Sequence, residues 1–224
     1  MNIDVAILTE TKLTTHHIIK SSGYDLTITE ARSNSIGGVA LCVRESPWFH
    51  VEGTKTHGHN VVSTQLVSGR KRWLLIGIYI PPSETDGSTI QNISSAARDA
   101  EKYKIPILLM GDLNVDLVAG NNNNFDMYND RHMATWALIQ ELQLHNLGTK
   151  YVQPRGRGDW TWHQQRNGIE ICKTLDYALV SHVYDYKYHK IKIPRMDTDH
   201  RMIVVGLKLD SKKQHHKYVN NGNN

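Results

Sequence analysis

The 224-residue chain is 39% hydrophobic, 21% charged and 8% aromatic, a balance that excludes general disorder, collagen and coiled coil. On a prior of ~150 residues per domain it is long for one domain and short for two, and it is long enough to bury one sizeable core. Its net charge of +4 is uneven: residues 1–149 hold 12 Lys and Arg against 15 Asp and Glu, a net of −3, while residues 150–224 hold 14 against 7, a net of +7.

Short apolar runs that end in polar residues dominate the chain. In order they are IDVAIL (3–8), GGVALCV (37–43), NVVSTQLV (60–67), WLLIGIYI (73–80), IPILLM (105–110), TLDYALV (174–180), YDYKYHKIKI (184–193) and MIVVGLKL (202–209). Their Val, Ile, Leu and Tyr content and flanking turn residues predict strands. Several are continuous rather than alternating, which suits burial on both faces. Two segments predict helices. Residues 89–103 place Ile90, Ile93, Ala97, Ala100 and Tyr103 on one face, and residues 130–146 do so with Met133, Trp136, Ala137, Leu138 and Leu142. Strands mixed with a few helices point to an α/β or α+β sandwich. Asn121–Asn124 and Asn220–Asn224 are polar low-complexity stretches, read as a loop and a tail. No composition shift marks a linker, so one domain is expected over 1–210, followed by a disordered polar tail over 211–224.

No apolar run approaches the ~18 residues of a membrane span, and MNIDVAILTETK lacks a basic leader, so neither a membrane anchor nor a signal peptide is expected. Two cysteines, Cys42 and Cys172, cannot form a disulfide scaffold, and an intracellular compartment, nucleus or cytoplasm, is the simpler reading. The basic last third would draw a polyanion to one side of the molecule.

The informative feature is where the acids fall. Glu10 follows VAILT, Asp112 and Asn114 follow PILLMG, and Asp199-His200 stands before MIVVGL. Each lies at the end of an apolar strand, where a rigid sheet can hold a polar group in a cleft. Carboxylates with an amide oxygen and water are the hard ligands that Mg²⁺ selects. A histidine beside a carboxylate at such an edge serves as acid, base or charge stabiliser. Taken singly, each is matched by the plainer fact that strand ends and turns collect Asp and Asn. His57-Gly-His59 has the spacing of a metal pair but no companion ligand, and Cys42, between Leu41 and Val43, reads as a core residue.

Six blocks occur in the order and rough spacing of the endonuclease/exonuclease/phosphatase superfamily: LTETKL (8–13), GIYIPPS (77–83), GDLNVD (111–116), WTW (160–162), LDYALVSH (175–182) and TDHRMIVV (198–205). From about Ile3 to Leu209 the chain resembles its apurinic-type branch, particularly the endonuclease domains of non-LTR retrotransposons. The resemblance implies a four-layered α/β/β/α sandwich of two mixed β-sheets flanked by helices. It also implies a Mg²⁺-dependent phosphodiesterase, with Mn²⁺ as the alternative ion, that nicks DNA. Carried over residue by residue, Glu10 matches the metal-binding glutamate and Asp199 a second acidic position near the metal. Asp112 and Asn114 match the pair that activates the attacking water. His200 matches the histidine at the scissile phosphate, Asp176 the aspartate that orients it, and Tyr79 a tyrosine that reaches the phosphate. Trp160 and Trp162 lie where family members have aromatics that contact nucleic acid. Arg155 and Arg157, on the glycine-loosened PRGRGDW loop, would grip phosphates.

The family begins with an asparagine-bearing strand a few tens of residues before the glutamate. Here nine residues precede Glu10, so that strand is expected to be absent. The alternatives are a catalytically impaired nucleic-acid-binding remnant of a retroelement endonuclease, and a phosphoesterase of the same fold acting on RNA or a small phosphate ester.

Overall fold

A computed structural model describes residues 3–14, 18–21, 23–33, 36–85, 87–117, 130–148, 160–182, 186–190 and 198–209. Seven strands come first: β1 (Val5–Thr9), β2 (Ile18–Ser21), β3 (Tyr24–Ile28), β4 (Val39–Arg44), β5 (His50–His57), β6 (Val61–Ser68) and β7 (Lys71–Tyr79). Helix α1 (Ser88–Tyr103), β8 (Ile107–Asp112), α2 (Asp130–Glu141) and β9 (His145–Asn146) follow. The remainder is β10 (Trp162–Arg166), β11 (Ile169–Lys173), β12 (Asp176–Val180), β13 (Tyr186–Lys190) and β14 (Ile203–Leu207).

The continuous apolar runs form the middle of a six-stranded sheet of order β5-β6-β7-β8-β12-β9. Its β7–β8 pair is parallel, as the crossover through α1 requires, and its other pairs are antiparallel. Period-two alternation explains why these runs are apolar throughout. Leu74, Ile76 and Ile78 of β7, Leu109 of β8 and Leu179 of β12 face the helices, where they meet Ile93, Ala97 and Leu138. Trp73, Leu75 and Tyr79, Leu108, and Ala178 and Val180 turn the other way, onto Val39 and Leu41 of β4. Each large buried side chain on these strands contributes about 1.5–3 kcal/mol, so both faces are firmly held.

The four-stranded sheet, β1-β4-β3-β2, packs face to face on the first and is antiparallel. Its β1 crosses β7 at Gly77, where a Cβ would lie 3.0 Å from Ile7 Cγ2 and 3.0 Å from Val62 Cγ1. The expected sandwich therefore forms, and the two described helices both cover the six-stranded sheet. Strands β10–β11 and β13–β14 make two further two-stranded sheets.

Several elements differ from the sequence reading. The second helix ends at Glu141 rather than 146, because Gln143 turns to positive φ. Its buried residues are Thr135, Leu138 and Ile139, whereas Met133, Trp136 and Ala137 are exposed. Tyr103, assigned to the buried face of α1, is also exposed. Strands β2, β3, β5, β10 and β11 lie outside the predicted runs, and β9 falls within the helix expected over 130–146. The exposed middle of β5 carries Glu52 and Lys55, the charged composition that edge strands favour. The β10–β11 hairpin turns at Asn167-Gly168, both at positive φ, the dipeptide that a two-residue hairpin turn selects. Among the described residues no helix is long and apolar enough to cross a membrane. Asn121–Asn124 and the 211–224 tail lie outside the described residues.

Candidate active site

Strand register brings the polar residues together. Tyr79 of β7 pairs with Asp112 of β8, and Asp112 pairs with Asp176 of β12, so the three stand in one row at the end of the sheet. Alternation sends all three toward the seam between the sheets, on the side of Tyr79, Leu108 and Ala178. Close approach at this row depends on Gly111, at φ +143°, where a Cβ would lie 1.9 Å from the Ile78 carbonyl oxygen. Only glycine fits there.

Asp112 is 1% exposed, and both its carboxylate oxygens are engaged. Asn114 donates to them from its backbone N–H at 2.8 Å and from Nδ2 at 3.0 Å. That grip requires Asn114 at φ +50°, a conformation asparagine tolerates better than most residues. Nδ2 also donates to the Ile80 carbonyl at 3.0 Å, which leaves the amide oxygen free of these bonds. Burial, then the negative charge of Asp176, pushes the Asp112 carboxyl up to about 7. A buried carboxylate that titrates near neutrality is suited to accept a proton.

His200 Nδ1 donates to Asp176 Oδ2 at 2.9 Å. Burial alone would depress its pKa, but the bond and charge of Asp176 outweigh it and raise the imidazole to about 9. At neutral pH the ring is therefore a cation. This pairing also partners the half-buried Asp176 carboxylate.

Thr161 holds the two halves of the pair together, a role not read from the sequence although it is the middle residue of the WTW block. It is fully buried, and its Oγ1 accepts the backbone N–H groups of Leu175 and Asp176, each at 2.9 Å. Its carbonyl accepts the N–H of Arg201 at 2.6 Å, and its own N–H donates to Lys173. One residue thus ties the Asp176 strand to the His200 segment.

From the four-stranded sheet, Glu10 reaches the same place. It follows β1 at φ +53°, and the next two amides, of Thr11 and Lys12, bond the Gly38 and Gly37 carbonyls. Tyr79 donates its hydroxyl to Glu10 Oε1 at 2.7 Å, and Lys12 Nζ lies 3.6 Å from Oε2. Burial and Glu10 keep the Tyr79 hydroxyl protonated far above its ordinary range.

Asp199 and the tryptophans form a neighbouring layer. Trp162 Nε1 donates to Asp199 Oδ2 at 2.8 Å, and Lys173 Nζ lies 5.9 Å from its ring centre. Trp160 is covered by the Arg201 guanidinium at 3.2 Å and stacks on His163 at 5.0 Å. Both indoles are half-buried and engaged within the protein. Arg155 and Arg157 lie outside the described residues. The discounted His57 and His59 bond Ser63 Oγ and the Glu30 carbonyl.

Among the described residues, Asp112, Asp176 and His200 form the cluster able to hold a metal ion, with ligand atoms within 4.8 Å of one another. Glu10 and Asp199, the ligands expected from the sequence, are not members of it. Buried carboxylate oxygens are hard donors, and that chemistry fits a divalent cation such as Mg²⁺ or Mn²⁺.

No curated protein sequence matches significantly. Solved structures share the fold. The endonuclease domain of TRAS1, a telomere-specific non-LTR retrotransposon, aligns with TM-score 0.66 and 16% identity, over 84% of this chain and 82% of that one. The Xenopus laevis APE2 catalytic domain gives 0.66 and 13%, over 94% and 86%. An AP endonuclease from Archaeoglobus fulgidus gives 0.62 and 16%, over 92% and 89%. Residues 1–200 match the profile of the Endonuclease/Exonuclease/phosphatase family, whose members hydrolyse phosphodiesters or phosphate esters. With that match spanning every strand-end acid of the row, the chain belongs to the endonuclease/exonuclease/phosphatase family.

Proposed function

We propose that the chain is a divalent-metal-dependent phosphodiesterase that nicks DNA, working as one domain over residues 1–210. The observation that carries this reading is the row of Tyr79, Asp112 and Asp176, with His200 held as a cation beside a buried base. In it, Asp112 takes a proton from water that the Asn114 amide oxygen orients. His200, kept positive by Asp176, stabilises charge developing on the phosphate, a contribution that is often the largest in such reactions. Tyr79 donates a hydrogen bond toward a non-bridging oxygen.

Glu10, with Asp199 as a second acid, would hold Mg²⁺ beside the Asp112 row. When bound, the ion supplies Lewis acidity and neutralises phosphate charge. DNA is favoured by the net charge of +7 over residues 150–224 and by the endonucleases among the structural neighbours. Trp160, Trp162, Arg155 and Arg157 are the proposed contacts to nucleic acid.

The test is nicking of supercoiled plasmid with Mg²⁺, with EDTA and with Asp112→Ala. Open-circle product that needs Mg²⁺ and disappears in the variant is expected. Folded protein that binds DNA salt-dependently yet never nicks it would replace this reading with a non-catalytic module.

A further inference from the structure

The turn between β5 and β6, residues 58–60, lies at the end of the six-stranded sheet where the polar row stands. Its last residue, Asn60, is 8% exposed and takes no part in the chemistry proposed above. A buried amide side chain needs partners for both its donors and its acceptor, so its bonds fix whatever they touch.

The main chain of Asn60 extends the six-stranded sheet. Its carbonyl accepts the Tyr79 N–H at 3.0 Å, one residue beyond the Val61–Ile78 pair. Its side chain reaches the other sheet, where Oδ1 accepts the N–H of Gly38, the residue before β4, at 3.2 Å. The Gly38 and Gly37 carbonyls accept the N–H groups of Thr11 and Lys12, the two residues after Glu10, at 3.2 and 3.0 Å. Tyr79 donates its hydroxyl to Glu10 at 2.7 Å. The bonds therefore close a ring that runs from the Asn60 main chain through Tyr79, Glu10 and Gly38 back to the Asn60 side chain.

The ring has a stiff support and a strained member. Asn60 Nδ2 donates to Thr89 Oγ1 at 3.3 Å, and Thr89, 1% exposed at the start of α1, donates its own N–H to Glu84 at 2.7 Å. Thr29 ties the same turn to β4 one residue earlier, since its Oγ1 donates to the His59 carbonyl at 2.6 Å and accepts the Val39 N–H at 2.7 Å. The strained member is the Glu10 turn, with Glu10 at φ +53° and Lys12 at φ +56°. Such conformations persist only where their surroundings over-determine them.

We propose that Asn60 is a positioning residue for the reaction: its side chain holds the Glu10 turn of one sheet against Tyr79 of the other, and without it Glu10 loses its place beside the row. The kinetic consequence rests on the phosphodiesterase reading, whereas the placement of Glu10 does not.

The test therefore has two arms on the full chain. In the kinetic arm, Asn60→Ala should lower kcat for nicking of supercoiled plasmid at saturating Mg²⁺ by about 10–100-fold, with KM for DNA unchanged. Ser68→Ala controls for lost stability alone. Ser68 is fully buried at the opposite end of β6, its Oγ donates to the Trp48 carbonyl at 2.8 Å, and its variant should nick at the parent's rate. In the structural arm, amide exchange is read in EDTA without DNA. Gly38 should be protected in the parent, and Thr11 and Lys12 should exchange about tenfold or more faster in Asn60→Ala while the β1–β4 ladder keeps its protection. Asn60→Asp, which keeps the acceptor for Gly38, should return protection to Thr11 and Lys12. A freely exchanging Gly38 in the parent, unchanged exchange at Thr11 and Lys12 in Asn60→Ala, or an equal loss of kcat in Ser68→Ala overturns the proposal. A parent that shows this protection but never nicks supports the placement of Glu10 by Asn60 and refutes the phosphodiesterase reading instead.

Discussion

Replacing Asp112 by asparagine tests the electrostatics of the row, because the change should reverse sign with pH. Burial and Asp176 raise the Asp112 carboxyl from 3.8 to about 7. An acid whose folded pKa exceeds its unfolded value is ionised first in the unfolded chain. The folded state is thus progressively disfavoured between about pH 4 and 7, and by a constant amount above. Three units at 1.36 kcal/mol each amount to roughly 4 kcal/mol. Asp112→Asn removes that penalty, but an amide has one oxygen where Asn114 donates two bonds, at 2.8 and 3.0 Å. A donor then faces a donor, which costs about 1–3 kcal/mol. The variant should be more stable than the parent by about 1–3 kcal/mol at pH 8 and less stable by a similar amount at pH 4. Urea unfolding followed by circular dichroism in EDTA measures both. Equal destabilisation at the two pH values would refute the reasoning.

The other predictions concern the supports of the row. Asp176→Asn should lower the His200 pKa from about 9 by about one to three units, read by NMR titration of the ring. The stability that Asp176 confers through a raised histidine is full below pH 6.5 and lost as pH rises through about 9. The variant's deficit should therefore be roughly 1–2 kcal/mol at pH 6, after discounting for solvent screening, and fade by pH 10. Thr161→Val leaves two buried amides without an acceptor and should cost roughly 2–4 kcal/mol in urea unfolding while disturbing the His200 titration. Thr161→Ser, which keeps the acceptor, should restore both. Gly111→Ala forces a methyl into the Ile78 carbonyl and should cost about 3 kcal/mol or more, a fall in Tm of about 6–12 °C.

What could be read from the sequence divides along physical lines. Strands β7, β8 and β12 are buried on both faces, so their composition alone announces them. Strand β5 is exposed through its middle and wears the composition of a loop. The β10–β11 hairpin did carry a signal in Asn167-Gly168, but polar flanks (WHQQR and the exposed Ile169 and Glu170) hid it. The faces of α2 were misassigned because Met133 and Trp136 are apolar yet point outward, and side-chain type does not reveal which stripe finds a partner. Asp112, Asn114 and His200 stood out as polar residues at strand ends, whereas Asp176, inside the apolar run TLDYALV, was found only through the resemblance of the LDYALVSH block. Thr161 did not stand out, since a hydroxyl that serves backbone amides leaves no periodicity. The engagement of Trp162 with Asp199 was equally hidden, being a contact across 37 residues.

The Tyr79–Glu10 hydrogen bond joins a residue of one sheet to a residue of the other. The cluster is thus assembled across the seam between the sheets, and its geometry reports how the two sit. Truncating a side chain packed in that seam, such as Trp73→Leu at the far end of β7, is expected to change that bond length before it changes any single strand. The Tyr79–Glu10 distance is a gauge of shear, and substitutions remote from every polar group should move it.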